Sequence, residues 1–389
     1  MKTFVTLLFV ISMQIINAQE NLSSIIKENA KTFSIQNNQF IGEGWNQVLK
    51  QIKTHDNILI GEDHFFNEIP FFVSKIIDEV KFDNYFCEID PYSATIITNK
   101  IKSLSDQKLK QYTTHFSNTF SCYALAAEFN LLKKIAKSKT NIIGTDQILL
   151  IADRLVFSEL KNETKNQKAS EIYSNIEKQS AIHFEQFATG KGSPYLFTEG
   201  FNKDINALKT LNLSAKEQNV IDDLKLSQEI YQTQNHALRI QLMKHNLMNN
   251  YNKLSNSKNL FKYGAVHMPK GESLLKIFDL GNLVNNIAES QFQPSLHIMI
   301  IGKSGVQGVP IKGMNPKPLN IESNDLKHYK SFYEAMENKN NWHVFNTQKI
   351  LKKVASKKIK INSKTLERVL KGYDYLIIIP EVTPAKFIK

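Results

Sequence analysis

Residues 57–64 read Asn57-Ile58-Leu59-Ile60-Gly61-Glu62-Asp63-His64: an apolar run of strand length, a glycine, two acids and a histidine. Far downstream, Gly264 and His267 end a second strand-like run, which covers Leu260 to Tyr263. Ligands of open parallel α/β sheets bind at the carboxyl ends of the strands, so ionisable side chains placed there converge on one crevice. Two strands that both lead into a histidine therefore predict a functional site at that edge of a sheet.

Two further apolar runs each lead to an acidic residue. Tyr85-Phe86-Cys87 precedes Glu88, and Asn141-Ile142-Ile143-Gly144 precedes Asp146. Helical patterns separate the runs between Ile58 and Asp146, and this alternation is typical of βαβ units with a mostly parallel sheet. Taken singly, each ionisable residue is explained equally well as a hydrogen-bonding group or a helix cap near a strand end. The coincidence of four such endings favours a functional site.

The middle of the chain has a different character. From about residue 149 to residue 250 the pattern is that of long polar helices rich in Lys, Glu, Gln and Asn. Because strand-like runs lie on both sides of this block, we predict one domain over residues 19–389 with a helical insertion, rather than two independent domains. The expected fold class is α/β, with a mostly parallel sheet, flanking helices and this large helical insertion.

The first 18 residues have the pattern of a secretory signal peptide. Lys2 is positively charged, Phe4 to Ile16 is almost wholly apolar, and Ala18 is a small residue before Gln19. This apolar core is shorter than the roughly 20 residues that a membrane span needs, and no later stretch is both long and apolar enough. We therefore expect export to the periplasm or the medium, with no transmembrane segment.

Positive charge is concentrated near the C-terminus. The formal net charge is +12, and between Lys349 and Lys371 nine Lys or Arg residues accompany Glu367 as the only acid. Apolar residues recur between these lysines as on an amphipathic helix, which favours a solvated basic face over a dedicated anionic-partner site. A weak contact with an anionic surface through residues 349–371 remains open. The export signal argues against nucleic acid, and a small molecule is the expected substrate.

The chain contains two cysteines, Cys87 and Cys122, too few for a disulfide framework. Cys87 lies in a strand-like run and is interpreted as a packing residue. A bridge between the two cysteines is the less favoured alternative.

The first motif suits acid–base chemistry. Glu62 and His64 are two residues apart, so their side chains share a face if the chain remains extended. A carboxylate beside an imidazole fixes its tautomer and raises its basicity, as a general base that activates water requires. Glu68 follows His64 by four residues and shares that face if a helix has already begun.

A metal site is the alternative chemistry. His64, His267, Glu62, Glu88 and Asp146 supply nitrogen and oxygen ligands suited to Zn²⁺ or Mn²⁺. Residue types alone leave the choice between a metal-free base and a metal centre open.

A predicted helix that begins near Asn235 carries Arg239, Met243, Asn246 and Asn250 along one stripe. If the stripe closes over the crevice, Arg239 supplies a cation for an oxyanion or a carboxylate, and Asn246 a positioning donor. If the stripe faces solvent, both residues are ordinary surface residues. The spacing leaves both interpretations open.

Together these motifs resemble a superfamily that contains the erythromycin esterases, the ChaN-type haem-binding lipoproteins and the Tiki/TraB proteases. The matching elements occur in the same order and are Ile60 to His64, Phe86 to Pro91, Gly144 to Asp146, Arg239 to Asn246, and Tyr263 to His267. They frame most of residues 50–310. The resemblance implies an α/β fold with a helical insertion and a polar cleft at the strand ends.

The esterase branch implies that His64 is the base that activates water, assisted by Glu62, His267 and Arg239, with no required cofactor. The haem-binding branch implies haem ligation by His64 and His267, and the protease branch implies a divalent metal. One residue separates Glu62 from His64, where the esterase branch has two. Phe65 stands where the haem-binding branch usually has an Asp, and that branch's lipoprotein cysteine is absent.

The expected function is hydrolysis of an ester, lactone or related acyl bond, and a haem- or metal-binding protein is the alternative. We expect substrate contacts from four polar residues, Glu68, Glu88, Asp146 and Asn246. His64 and His267 are expected to face one cleft, with Arg239 reaching it from the inserted helices.

Overall fold

A computed structural model describes residues 22–388, and the predicted signal peptide lies outside them. The described strands are β1 (Ala30–Gln36), β2 (Gln39–Ile41), β3 (Asn57–Glu62), β4 (Asn84–Cys87), β5 (Asn141–Gly144), β6 (Asn259–Gly264), β7 (Ser295–Gln307), β8 (Lys317–Pro318), β9 (Trp342–Asn346) and β10 (Tyr375–Val382). The described helices are α1 (22–28), α2 (Glu43–Thr54), α3 (Glu68–Glu79), α4 (Pro91–Ser103), α5 (Asp106–His115), α6 (Ala126–Ala136), α7 (Asp153–Glu163), α8 (Gln167–Ala188), α9 (Glu199–Lys209), α10 (Ala215–Thr233), α11 (His236–Met248), α12 (Tyr251–Leu254), α13 (Leu280–Ser290), α14 (Lys330–Glu334), α15 (Thr347–Ser356) and α16 (Lys364–Gly372).

The fold is of the α/β class, with mostly parallel strands and flanking helices, which confirms the predicted class. The described residues group into two compact units. Unit 1 contains the described residues up to Asp63, together with Tyr263–Gln307 and Pro318–Thr383. Unit 2 contains His64–Lys262, Gly308–Lys317 and the described residues from Pro384 onward. The assignment of a signal peptide and of one domain with an insertion stays a prediction.

The strands of unit 1 follow the order β2-β1-β9-β10-β7-β3. β7 pairs in parallel with β3 and with β10, and all six residues of β3 are buried. Burial on both faces explains why β3 reads as a continuous apolar run. A glycine is needed near its end, because a Cβ atom on Gly61 would lie 2.6 Å from the Tyr373 hydroxyl.

The edge of unit 1 is antiparallel, a feature that the sequence pattern did not predict. β1 pairs in antiparallel fashion with β2 and with β9. Aromatic side chains cover this edge: the ring of Phe33 lies 5.0 Å from that of Phe40 and 5.3 Å from that of Trp342, between centroids. Such ring contacts stabilise an edge whose short strands bury little area by themselves.

In unit 2, β4 pairs in parallel with β5 and with β6. The rings of Phe86 and Phe261 stack across the β4–β6 pair, with centroids 4.6 Å apart. Helices α7 to α11 occupy residues 153–248, within the predicted insertion range, and α7 to α10 share an apolar core that includes Phe157, Tyr173 and Phe201.

The basic C-terminal segment forms two helices, α15 and α16, rather than one. Their buried residues include Ile350, Val354, Leu366 and Leu370, while most of the lysines are exposed. Cys87 and Cys122 are both free thiols, so the alternative of a bridge between them is wrong. Within residues 22–388, no helix combines the length and the apolarity of a membrane span.

Candidate active site

His64 lies in the turn between β3 and α3, and its ring is partly exposed. The next residue, Phe65, has a φ of +75°, a left-handed conformation that costs a bulky residue about 1–3 kcal/mol. Two backbone hydrogen bonds hold it, because the Phe65 carbonyl accepts from the N–H groups of Gly308 (3.1 Å) and Ala385 (2.9 Å). Helix α3 begins only at Glu68, so His64 precedes the helix and Glu68 lies in its first turn.

An acid of unit 2, Glu88, contacts His64. The Nε2 atom of His64 lies 3.4 Å from Oε2 of Glu88, which follows β4. A charged carboxylate accepts the N–H of the imidazole, so this contact favours the tautomer that carries its hydrogen on Nε2. Nδ1 is then the basic nitrogen of His64. It lies 3.8 Å from Sγ of Cys122.

Arg239, in α11, joins the two acids that follow β4 and β5. One Nη atom donates to Glu88 Oε1 at 2.7 Å and to Asp146 Oδ2 at 2.6 Å, and Nε donates to Asp146 Oδ1 at 2.9 Å. Burial alone lowers the pKa of Arg239, but Asp146 and Glu88 together raise the pKa well above its usual range. The guanidinium therefore stays charged and holds both carboxylates in place. A direct contact of Arg239 with substrate stays a prediction.

Asn246 lies two turns further along the same helix and donates from Nδ2 to the carbonyl of Thr145 at 3.0 Å. The backbone N–H of Asp146 in turn donates to the Ile89 carbonyl at 3.1 Å. Asn246 and Arg239 thus fix the loop that carries Asp146, one through its backbone and one through its carboxylate.

The cap of α4 is Asp90 and not Glu88. Asp90 Oδ1 accepts from the backbone N–H of Ser93 at 2.7 Å, and Asp90 is buried. Burial, with a smaller effect of the nearby Asp146 carboxylate, raises the pKa of Asp90 to about 6. Because Asp90 satisfies the helix terminus, the capping interpretation of Glu88 is wrong, and the Glu88 carboxylate serves His64 and Arg239.

The other two predicted catalytic residues belong to unit 1. Glu62 is the last residue of β3 and is buried. His267 lies in a turn of 3₁₀ helix after β6, and its Nδ1 lies 2.9 Å from Oδ2 of Asp279. Asp279 also caps α13, accepting from the backbone N–H of Leu280 at 2.6 Å. The sequence analysis missed Asp279, although an acid directly before an apolar helical run signals a helix cap.

A further histidine of unit 1 escaped the sequence analysis. His297 is fully buried in β7, with Nδ1 2.6 Å from the Met268 carbonyl and Nε2 2.8 Å from the Ser295 hydroxyl. Burial, and then the positive charge of Lys270, lower the pKa of His297 to about 3. His297 is a neutral core histidine at physiological pH.

In the part of the chain that the structure describes, no three or more His, Cys, Asp or Glu side chains form a set that could hold a metal ion. The residues that the structure does bring together in unit 2 are His64, Glu88, Arg239, Asp146, Asn246 and Cys122. This set contains a base, an acid that orients it, a cation that holds the acid, and a thiol.

No protein-family model matches the chain, and no curated protein matches it in sequence. In structure the chain is similar to a succinoglycan biosynthesis protein, with a TM-score of 0.56 and 12% identity over 95% of this chain and 99% of that one. A protein from Bacillus cereus gives a TM-score of 0.55 and 12% identity, again over 95% and 99%. A mutant erythromycin esterase in its open conformation gives a TM-score of 0.56 and 12% identity, over 89% of this chain and 95% of that one.

At this level of identity the likeness concerns the fold alone. It agrees with the α/β fold that the resemblance implied. Membership of the superfamily, the branch within it and the residue roles remain proposals.

Proposed function

We propose that the chain is an exported hydrolase that cleaves an ester, lactone or related acyl bond, with His64 as its general base. The observation that carries the proposal is the His64–Glu88 contact, 3.4 Å between Nε2 and Oε2. A carboxylate on one ring nitrogen increases the basicity of the other, which then removes a proton from the attacking nucleophile. The esterase-like fold supports the same class of reaction.

The proposal adds a role for Glu88, changes that of Arg239 and keeps the others. Glu88 orients His64, a role that the sequence analysis gave to Glu62 alone. Arg239 is a positioning residue, because its contacts go to Glu88 and Asp146. His267, with Asp279 on its Nδ1, keeps its proposed role as a second catalytic histidine, and Glu62 keeps its proposed catalytic role.

Substrate contacts remain proposed for the polar residues Glu68, Glu88, Asp146 and Asn246. The haem- or metal-binding alternative, with His64 and His267 as ligands, stays a prediction from the sequence. Haem titration tests it, because axial histidine ligation gives a shifted Soret band that His267→Ala would abolish.

To test the hydrolase proposal, hydrolysis of a panel of aryl and alkyl esters and lactones is measured for wild type and His64→Ala. Loss of a general base lowers the rate by about 10²- to 10⁴-fold, so kcat/KM for any hydrolysed ester should fall by that factor. The matched control is His115→Ala. His115 also lies near a glutamate, with Nε2 3.7 Å from Glu177 Oε1, but its side chain is 68% exposed at the surface of the helical region. Equal turnover by wild type and His64→Ala would remove His64 as the base.

A further inference from the structure

Cys122 lies beside the basic nitrogen of His64. It belongs to a short 3₁₀ helix, Ser121–Ala124, and its side chain is partly exposed. The distance from Sγ to His64 Nδ1 is 3.8 Å, within the range of a weak thiol hydrogen bond. Because Oε2 of Glu88 lies 3.4 Å from Nε2 of the same ring, the three side chains follow the order thiol, imidazole, carboxylate. A nucleophile in contact with a base, itself oriented by a third group, is the general arrangement of covalent hydrolases.

We propose that Cys122 is the nucleophile of this site and that hydrolysis proceeds through a thioester on its sulfur. The inference rests on the proposed hydrolase function and adds a covalent step to it. His64 then acts twice, first on the thiol and later on water.

The proposed hydrolysis has two half-reactions, acylation of Cys122 and hydrolysis of the thioester. His64 Nδ1 removes the proton from Sγ, and the thiolate attacks the acyl carbon of the ester. The carbon–oxygen bond of the leaving group breaks, and the departing alkoxide takes the proton from His64, which leaves an acyl group on Cys122. Water then attacks the thioester and gives a proton to His64. The thiolate leaves and recovers that proton, so one ester and one water yield one alcohol and one carboxylic acid.

The segment after Thr383 contacts the backbone near both His64 and Cys122. Ala385 donates its backbone N–H to the Phe65 carbonyl at 2.9 Å, next to His64. The Lys386 carbonyl accepts from the backbone N–H of Ala126 at 2.7 Å, and Ile388 donates to the Ala124 carbonyl at 3.1 Å, next to Cys122. One extended segment thus fixes the backbone on both sides of the thiol–imidazole contact. Preorganisation of this kind is what a covalent mechanism requires.

The second cysteine serves as an internal reference. Cys87 lies in β4 with its side chain fully buried, and its Sγ lies 3.6 Å from the Ile143 carbonyl. Burial raises the pKa of the Cys87 thiol to about 12. Cys87 should therefore resist acylation and alkylation in the folded protein, so any rapid thiol chemistry reports on Cys122.

The first test traps the intermediate in the full-length protein. The protein is mixed with excess p-nitrophenyl acetate, quenched in acid and digested, and the peptides are analysed by mass spectrometry. We expect an acetyl group on Cys122 and none on Cys87. The same ester should not label Cys122 in His64→Ala. Absence of acetyl-Cys122 from wild-type samples quenched during turnover would overturn the inference.

The second test measures kcat/KM for the same ester in Cys122→Ala, Cys122→Ser and the control Cys87→Ala. We expect kcat/KM to fall at least about 100-fold in both Cys122 variants, because loss of the nucleophile prevents formation of the thioester. Cys87→Ala should keep its activity within about threefold, since Cys87 touches none of the reacting groups. Thermal unfolding of each variant confirms that it folds.

The outcomes separate the two proposals. Full activity in Cys122→Ala with loss in His64→Ala would overturn the nucleophile and leave His64 as a base that activates water directly. Equal activity in His64→Ala and wild type would instead remove the proposed function. Alkylation by iodoacetamide provides a check on the wild-type protein. The ester substrate should slow alkylation of Cys122 and have no effect on the alkylation of Cys87.

Discussion

The imidazole of His64 meets the carboxylate of Glu88 at 3.4 Å, although a helix and a strand separate the two residues in sequence. The contact joins a strand-end turn to the end of a different strand, which is where ligands bind in open α/β sheets. Arg239 holds Glu88 from the other side, and Cys122 lies on the opposite nitrogen of the ring. The polar side chains of this site thus form one connected series of contacts, so substitution of any one of them is expected to affect His64.

The partly buried guanidinium of Arg239 should be important for stability. Arg239→Met leaves the Glu88 and Asp146 carboxylates without their cation, and removal of one partner from a buried ion pair costs about 3 kcal/mol in the free energy of unfolding. Arg239→Lys should cost less, since it keeps the charge but cannot donate to Asp146 through two nitrogens. Urea unfolding of wild type and both variants measures these differences.

An exposed ion pair supplies the control for Arg239. Lys216 contacts Glu163 at the surface, where both side chains are about half exposed. Lys216→Met should change the free energy of unfolding by no more than about 1 kcal/mol. Similar losses of unfolding free energy in Arg239→Met and Lys216→Met would show that the Arg239 guanidinium stabilises the fold no more than an exposed ion pair does.

Gly308 permits the close approach that supports the His64 turn. A Cβ atom on Gly308 would lie 2.9 Å from the carbonyl oxygens of both Phe65 and Ala385. Gly308→Ala should therefore displace the turn, lower stability by about 1–3 kcal/mol and reduce kcat/KM by roughly tenfold or more through misplacement of His64. The control is Gly271→Ala, where a Cβ atom would meet nothing within 4 Å. Ester hydrolysis and thermal unfolding are measured for both, and a Gly308→Ala protein that matches its control would contradict the role of this contact.

Much of the central sheet was predictable because buried parallel strands form continuous apolar runs. The runs at Asn57 and Tyr85 coincide with β3 and β4, and α11 begins next to Asn235 as expected. Asn235 caps this helix and accepts from the N–H of Leu238. The strands β1, β2 and β9 were not predicted. They form an antiparallel edge. β1 and β2 include several exposed residues, and β9 has only five residues, so no long apolar run marks these strands.

The candidate site was predictable in part for the same reason. Strand-end acids and histidines are visible in a sequence, but their pairing is not, so the contact between Glu88 and His64 was not predicted. Cys122 gave no signal at all. It lies outside any strand ending and reaches His64 only because the chain folds back on itself, a contact that local spacing does not encode.

The segment after Thr383 should be required for activity as well as for stability. Its removal would break the backbone contacts of Ala385 with Phe65 and of Lys386 with Ala126. We expect kcat/KM to fall at least about tenfold, because misplacement of reacting groups by about 1 Å is that costly. The control is Lys386→Ala: its side chain is exposed and its contact uses only the backbone carbonyl. Unchanged hydrolysis and melting temperature after truncation would contradict this role.

The buried histidine of β7 should make the protein less stable in acid. The pKa of His297 is about 3 in the folded chain against a usual value of 6.5, because burial disfavours its charged form. Below about pH 6.5 the unfolded chain therefore binds a proton that the folded chain does not. The free energy of unfolding then falls as the pH falls, by up to about 1.4 kcal/mol for each pH unit from this group alone. His297→Gln removes the titration, so the variant should gain stability relative to wild type as the pH is lowered from 7 to 4.

Asp90 should give the opposite dependence of stability on pH, because folding raises its pKa. Its pKa rises from 3.8 to about 6 on folding, so the folded chain holds the extra proton and this contribution to stability is lost as the pH rises through 6. Asp90→Asn retains a capping side chain for α4 and should gain stability relative to wild type as the pH rises from 4 to 7. Urea unfolding at pH 4, 5, 6 and 7 measures both trends. If the difference between His297→Gln and wild type stays constant across this range, or follows the trend of Asp90→Asn, then His297 does not titrate as a buried neutral histidine.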